Sequence, residues 1–154
     1  MWILGYEMKV IIPFVIIMLC SCDAAPVSFA VYAEIPVLEL ECVCEVLQWV
    51  SGNIEYVEER EGEDNWQNPS VTYYLGSGDC EDFVILSMYL IHRLGIESKM
   101  VVGTRPDTEF RHAWIEALDQ WWEPRTCSLC DWYIYIYEDF DNYDYDYLLG
   151  EYEM

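Results

Sequence analysis

Gly78-Asp79-Cys80-Glu81-Asp82-Phe83-Val84-Ile85-Leu86 is the stretch on which the fold turns. A glycine and an acidic residue lead into a cysteine, and the cysteine opens an apolar run in which Phe83, Leu86, Met88, Leu90, Ile91 and Leu94 supply a core face. The spacing predicts a helix over 80–94, capped by Asp79 and ended by Gly95. His92 and Arg93 fall in its last turn, where the macrodipole favours cations. Cys80 then sits at a helix N-terminus, among N–H groups that favour a thiolate. Asp79, Glu81 and Asp82 crowd the same turn with negative charge and oppose that ionisation.

Forward of this helix the apolar period changes to two. Ser98 to Gly103 reads as a strand, Thr104 to Phe110 as a polar loop, and His112 to Leu118 as a second strand. Asp119-Gln120 makes a tight connection to a third strand that starts at Trp121-Trp122-Glu123 and is ended by Pro124. Trp132 to Tyr137 alternates aromatic and β-branched residues and reads as a fourth strand. From Glu138 onward Asp and Tyr interleave without Lys or Arg. That segment, 138–154, reads as an acidic, low-complexity tail.

Backward of the helix, Asn65 to Ser70 is rich in turn residues and carries Trp66. Val71 to Leu75 reads as a short helix or lead-in. Glu58 to Asp64 is an acidic loop, and Ile54 to Val57 a short extended piece. Apolar residues from Val37 to Val50 recur at helical spacing after Pro36, predicting a helix over 36–50 stopped by Ser51-Gly52-Asn53. Residues 23–35 have no sustained period and read as a tether. Residues 1–22 read as an export leader: Lys9 precedes the apolar run Val10 to Leu19, too short to span a bilayer and suited to a signal peptide. Leu19-Cys20-Ser21-Cys22 resembles a bacterial lipobox, with Cys22 as the lipid-attachment residue and Cys20 an unusual occupant of its position. The mature chain is then expected in the cell envelope, held on a bacterial membrane by its lipid alone.

The formal charge of −22, with only seven Lys and Arg, excludes a nucleic-acid footprint and charge-driven docking on anionic lipid. The seven cysteines do not form one framework. Cys42 and Cys44 point to different faces of the first helix and read as buried or partly buried thiols, not ligands. Cys127-Ser128-Leu129-Cys130 is one CxxC without a second pair, which fits a redox pair, a local disulfide or two ordinary thiols better than zinc. Asp141, Asp144 and Asp146 lack the Gly and terminal Glu of a calcium loop. No metal and no cofactor is expected.

A thiol nucleophile needs a base within reach, and the base needs a third group to fix its tautomer. Cys80 on a helix start, His112 on a strand and Glu123 after a hairpin fill those roles in order. Asp119 is the competing acid, at the hairpin tip. Spacing alone equally allows a buried small Cys80, a strand-edge His112 and a solvated Glu123. At this point the chain resembles the transglutaminase-like superfamily. Gly-Asp-Cys-Glu-Asp-Phe at 78–83 with Leu-Gly-Ile at 94–96 is similar to that family's nucleophile segment. His-Ala-Trp-Ile-Glu at 112–116 is similar to its histidine strand. Trp-Glu-Pro at 122–124 stands where the family has Asp-Pro, and Trp66-Gln67-Asn68-Pro69 resembles a Trp-containing segment upstream. The leader makes it look like a bacterial lipoprotein-type member.

The resemblance covers about residues 36–125. It implies an α+β, papain-like core over 36–137, with N-terminal helices, one carrying the cysteine, packed on a small antiparallel sheet. It implies acyl chemistry on peptide or amide bonds through a thioester, with hydrolysis favoured over cross-linking. Cys80 is then the nucleophile, His112 the base and later the acid, and Glu123 the orienting group, one methylene longer than the family's Asp. For the oxyanion, the Cys80 backbone N–H is a natural donor, with Trp66 or Gln67 as a second. The expected partner is a peptide or protein substrate. The alternative is a non-catalytic, peptide-binding envelope lipoprotein on the same scaffold.

Overall fold

A computed structural model describes residues 34–59, 65–108 and 110–152. The leader, Cys22 and most of the tether lie outside the described residues. Helix α3, Cys80–Arg93, is the central element. The Asp79 side chain accepts from the Asp82 N–H and the Asp82 carboxylate from the Asp79 N–H, so the two acids form a reciprocal capping box. At the other end Gly95 takes φ 74°, and the N–H groups of Gly95 and Ile96 close back on the carbonyls of His92 and Ile91. That pairing is a Schellman stop, and it needs a left-handed residue where the sequence has glycine.

Before α3 come helix α1, Val43–Asn53, strand β1, Glu55–Tyr56, helix α2, Pro69–Leu75, and strand β2, Ser77–Gly78. The first helix starts later than Pro36, so Cys42 is its N-cap and is exposed instead of buried, while Cys44 is half-buried as expected. Ile35 is buried, and Arg93 Nη1 donates to the carbonyls of Ile35 and Pro36 at 3.0 and 3.2 Å. Carbonyls spent on a guanidinium keep that segment extended, and Val37 is left 81% exposed. Helix α2 has Asn68 as its cap, accepting from Ser70 N–H at 2.9 Å, with Pro69 at the first helical position. Strands β1 and β2 pair in parallel, which fixes the turn entering Cys80.

After α3 the chain builds one antiparallel sheet from β3, Ser98–Thr104, β4, Arg111–Ala117, β5, Gln120–Glu123, β6, Ser128–Leu129, and β7, Glu138–Asp144. The strand order is β6-β5-β4-β3-β7. Leu118 and Asp119, at φ 56° and 57°, form the two-residue turn between β4 and β5. Side chains alternate across β4. Ala113, Ile115 and Ala117 join the main core with α1 and α3, whereas Trp114 joins Val101 and Cys130 in a second cluster on the far face.

Two further segments, both after β5, differ from the sequence expectation. Residues 131–135 form a 3-10 helix instead of a strand. Asp131 accepts from Trp121 N–H at 2.8 Å, and Tyr133 and Tyr137, four apart, both lie against Trp114. Residues 138–144 are the edge strand β7, and Tyr145–Tyr152 is a helix, α4, that buries Leu148, in place of a low-complexity tail. The Asp and Tyr alternation is the period of a strand on a sheet edge, where exposed acids discourage pairing with another chain.

Candidate active site

The N-terminus of α3 meets the start of β4, and three sequence-selected residues lie there. Gly78 makes the approach possible: a Cβ on it would stand 2.5 Å from the Asp82 Cβ and 2.7 Å from its Oδ2. Asp82 is buried, and it accepts from the Gln67 N–H at 2.7 Å and from Gln67 Nε2 at 2.6 Å. Burial raises its carboxyl above the ordinary range against the pull of those hydrogen bonds. Gln67 thus clamps the segment before α2 onto the cap of α3, with its amide nitrogen turned to Asp82. Trp66 packs edge-on against Tyr143, ring centroids 5.2 Å apart. Among the described residues neither side chain hydrogen-bonds to Cys80.

Cys80 is 9% exposed. Its thiol donates to the Glu81 carboxylate at 2.9 Å. Burial pushes the thiol far up, and the charge and hydrogen bond of Glu81 add to the effect; the Ala113 backbone N–H works the other way. The resting sulfur is therefore a neutral thiol, despite its place at the helix terminus. Burial first, then Glu81 and more weakly Asp79, outweigh the helix terminus here. Asp79 shows the same crowding: burial first, then Glu81 and Asp82, push its carboxyl up to about 7.

His112 and Glu123 are both buried, and His112 Nε2 lies 2.5 Å from Glu123 Oε2. The Tyr133 hydroxyl donates to the same carboxylate oxygen at 2.9 Å, and the Arg125 N–H to the other oxygen at 3.1 Å. Burial raises the Glu123 carboxyl, yet hydrogen bonds from His112, Arg125 and Tyr133 and the His112 charge bring it below its usual range. The ring of His112 is fenced by Phe110, Trp114, Tyr133 and Tyr137, with centroids 5.9 to 6.3 Å away. Gly103, the cross-strand partner of His112, leaves room for that fence: a Cβ there would meet Trp114 at 2.6 Å and Tyr137 at 2.9 Å. Asp119 is exposed beyond the other end of β4, roughly 20 Å from His112 at about 3.3 Å per strand residue.

The thiol and the imidazole come to the same few residues of β4. The sulfur reaches the Ala113 N–H, and the ring belongs to residue 112 on the face shared with Trp114. No hydrogen bond joins Cys80 to His112 among the described residues. Such contacts are often long in the free state of an enzyme and tighten on substrate. Tyr133 escaped the sequence reading. Its signal was a polar aromatic in a tyrosine-rich stretch read as a strand, and only the 3-10 turn brings its hydroxyl back to Glu123. No group of three or more His, Cys, Asp or Glu suited to a metal occurs among the described residues.

A cysteine-bearing helix packed on a small antiparallel sheet, with a histidine and an acid on neighbouring strands, defines the α+β, papain-like class of thiol-enzyme fold. Residues 34–134 match the family model of the transglutaminase-like superfamily, and the chain belongs to that superfamily. A crystal structure of a candidate cysteine protease from Cytophaga hutchinsonii is similar at 22% identity and a TM-score of 0.47. The similarity covers 64% of this chain and 35% of that one, so this chain spans about a third of that protein. No curated protein matches.

Proposed function

We propose that this protein is an exported thiol hydrolase that cleaves peptide or amide bonds through a Cys80 thioester. The observation that supports it most is the buried His112–Glu123 hydrogen bond, braced by Tyr133, beside a cysteine at a helix N-terminus. In this reading substrate displaces Glu81 from the thiol. His112 takes the thiol proton, and the sulfur attacks the carbonyl carbon. The tetrahedral oxyanion is met by the Cys80 backbone N–H, with the Trp66 indole as second donor and Gln67 as the clamp that sets its neighbour. His112 then protonates the leaving amine, and water, deprotonated by His112, releases the acid. Glu123 holds the ring and balances the imidazolium. Hydrolysis, with water and not an amine as the acyl acceptor, is the part of this reading that the discharge experiment decides.

Incubation with an activated acyl ester tests this. Intact-mass and peptide analysis should find the acyl group on Cys80, discharged by water as fast with added alkylamine as without. Cys80→Ala should carry no acyl group and His112→Ala should acylate far more slowly. Acyl groups on other cysteines at equal rates would refute the nucleophile; amine-dependent discharge would make it a transferase. Turnover absent with peptide binding intact in both parent and Cys80→Ser would favour the peptide-binding alternative. The export and anchor at Cys22 rest on the leader sequence. Fatty-acid labelling of the expressed chain, lost in Cys22→Ser, would support them, and an unlabelled parent would remove the anchor.

A further inference from the structure

The cysteines outside the Cys80 site are arranged in a way their sequence spacing conceals. Cys127 and Cys130, three residues apart, face different layers. Cys130 is buried with Val101 and Trp114, whereas Cys127 lies against the main core. The near neighbour of Cys127 is Cys44 on α1, 83 residues away, with the two sulfurs 4.0 Å apart. The Cys127 thiol also points at the Cys44 carbonyl oxygen, 3.6 Å away. Cys127 holds φ 50°, a left-handed conformation uncommon for a side chain other than glycine, Asn or Asp. The turn after β5 therefore presents this sulfur to α1 against its local backbone preference. Both sulfurs belong to partly exposed residues, so a small reagent reaches them. Gln48 Nε2 lies 3.5 Å from Cys44 Sγ and can donate to its thiolate.

We propose that Cys44 and Cys127 are a thiol–disulfide site, oxidised by a low-molecular-weight disulfide of the glutathione class into a cross-link between α1 and the turn after β5. The Cys44 thiolate attacks the reagent, forming a mixed disulfide and expelling one thiolate. Cys127 loses its proton to solvent and attacks the Cys44 sulfur, expelling the second. Two protein thiols are oxidised and one reagent disulfide is reduced to two thiols. Gln48 can donate to a Cys44 thiolate, whereas the Cys127 thiol is turned to the Cys44 carbonyl, so Cys44 attacks first and closure follows. A rotation of the side chains must bring the sulfurs from 4.0 Å to a bond of about 2.05 Å. The same turn carries the Arg125 N–H that binds Glu123, so the cross-link ties the buried acid's support to α1. The inference does not depend on the acyl chemistry proposed for Cys80.

The test is to treat the full chain with oxidised glutathione at mildly alkaline pH, block remaining thiols, and map disulfides by peptide mass analysis. The expected product is a Cys44–Cys127 link, with a melting temperature raised by about 10 °C, as befits closing a loop of this length. Dithiothreitol should reverse both. Cys44→Ser and Cys127→Ser should each abolish link and shift, and Cys130→Ser should keep them. Recovery of Cys127 linked to Cys42 or Cys130, or of both residues as free thiols, would overturn the proposal.

Discussion

The Cys80 thiol donates to the Glu81 carboxylate at 2.9 Å, and the residue beside it in sequence thus holds the proton that a nucleophile must lose. The contact is a resting latch: it stabilises the neutral thiol by charge and by hydrogen bond together. Glu81→Gln keeps the shape and removes the charge. Alkylation of Cys80 by iodoacetamide at pH 7 should then quicken by about tenfold, the equivalent of one unit of thiol acidity. Site-resolved mass spectrometry reads the rate. An unchanged rate would mean that Glu81 does not govern the proton.

The Glu123 side chain has the length its position demands. Ile115 pairs with Trp122, so continuing the register by one step sets Glu123 across from Trp114, and His112 lies on the diagonal. Diagonal neighbours on a sheet stand about 7–8 Å apart, within reach of a long side chain. Glu123→Asp should fall short of the imidazole and leave both groups buried with poorer partners. Loss of one partner of such a buried pair costs about 3–5 kcal/mol, and a shortened one should cost roughly half of that. Tyr133→Phe removes a single hydrogen bond to the same carboxylate and should cost about 1–2 kcal/mol. Urea unfolding of the three proteins gives both values. Equal stability of Glu123→Asp and parent would show that the pair does not need the extra methylene.

That relationship also shows how far the sequence carries the site. The order Cys80, His112, Glu123 and the helix cap were legible because each rests on local spacing: a cap next to its helix, a histidine opening an alternating strand, an acid just past a two-residue turn. The contacts that decide the chemical state of the site were not. Glu81 was visible as a nearby charge, but its rotamer toward the sulfur is a packing outcome. Tyr133 reaches Glu123 only because 131–135 is a 3-10 turn, and period-two aromatics there gave no sign of it. Strand β7 was hidden for a similar reason: an edge strand rich in Asp has the composition of a tail, and only its pairing with β3 distinguishes the two.

Gly78 is a steric requirement of the cap. Gly78→Ala places a methyl carbon 2.5 Å from the Asp82 Cβ, an atom that cannot move without uncoupling the capping box and the Gln67 clamp. The cost should be about 2–4 kcal/mol, in the range of overpacking plus a lost cap. Thermal unfolding measures it. Gly52→Ala, on α1, is the control: a Cβ there would meet nothing within 4 Å, so the change should be neutral or stabilising.

Asp79 gives the chain a pH dependence with a definite sign. Its carboxyl is pushed up to about 7 in the fold from an ordinary 3.8, so between those values the folded protein binds a proton that the unfolded chain has released. The stability this group contributes is complete below the unfolded value and is lost as pH rises through about 7. The raised carboxyl of Asp82 acts in the same direction. Glu123 acts in the opposite one: its lowered carboxyl contributes stability above the usual carboxylate range that is lost in acid. Asp79→Asn keeps an oxygen to cap α3 and removes the titration, since Asn caps helices as well as Asp. The variant should therefore match the parent near pH 4 and melt at a higher temperature at pH 8, with the difference opening between pH 5 and 7. Melting curves of both proteins across that range decide it. A difference that is constant with pH would assign the effect to the cap alone and not to the charge of Asp79.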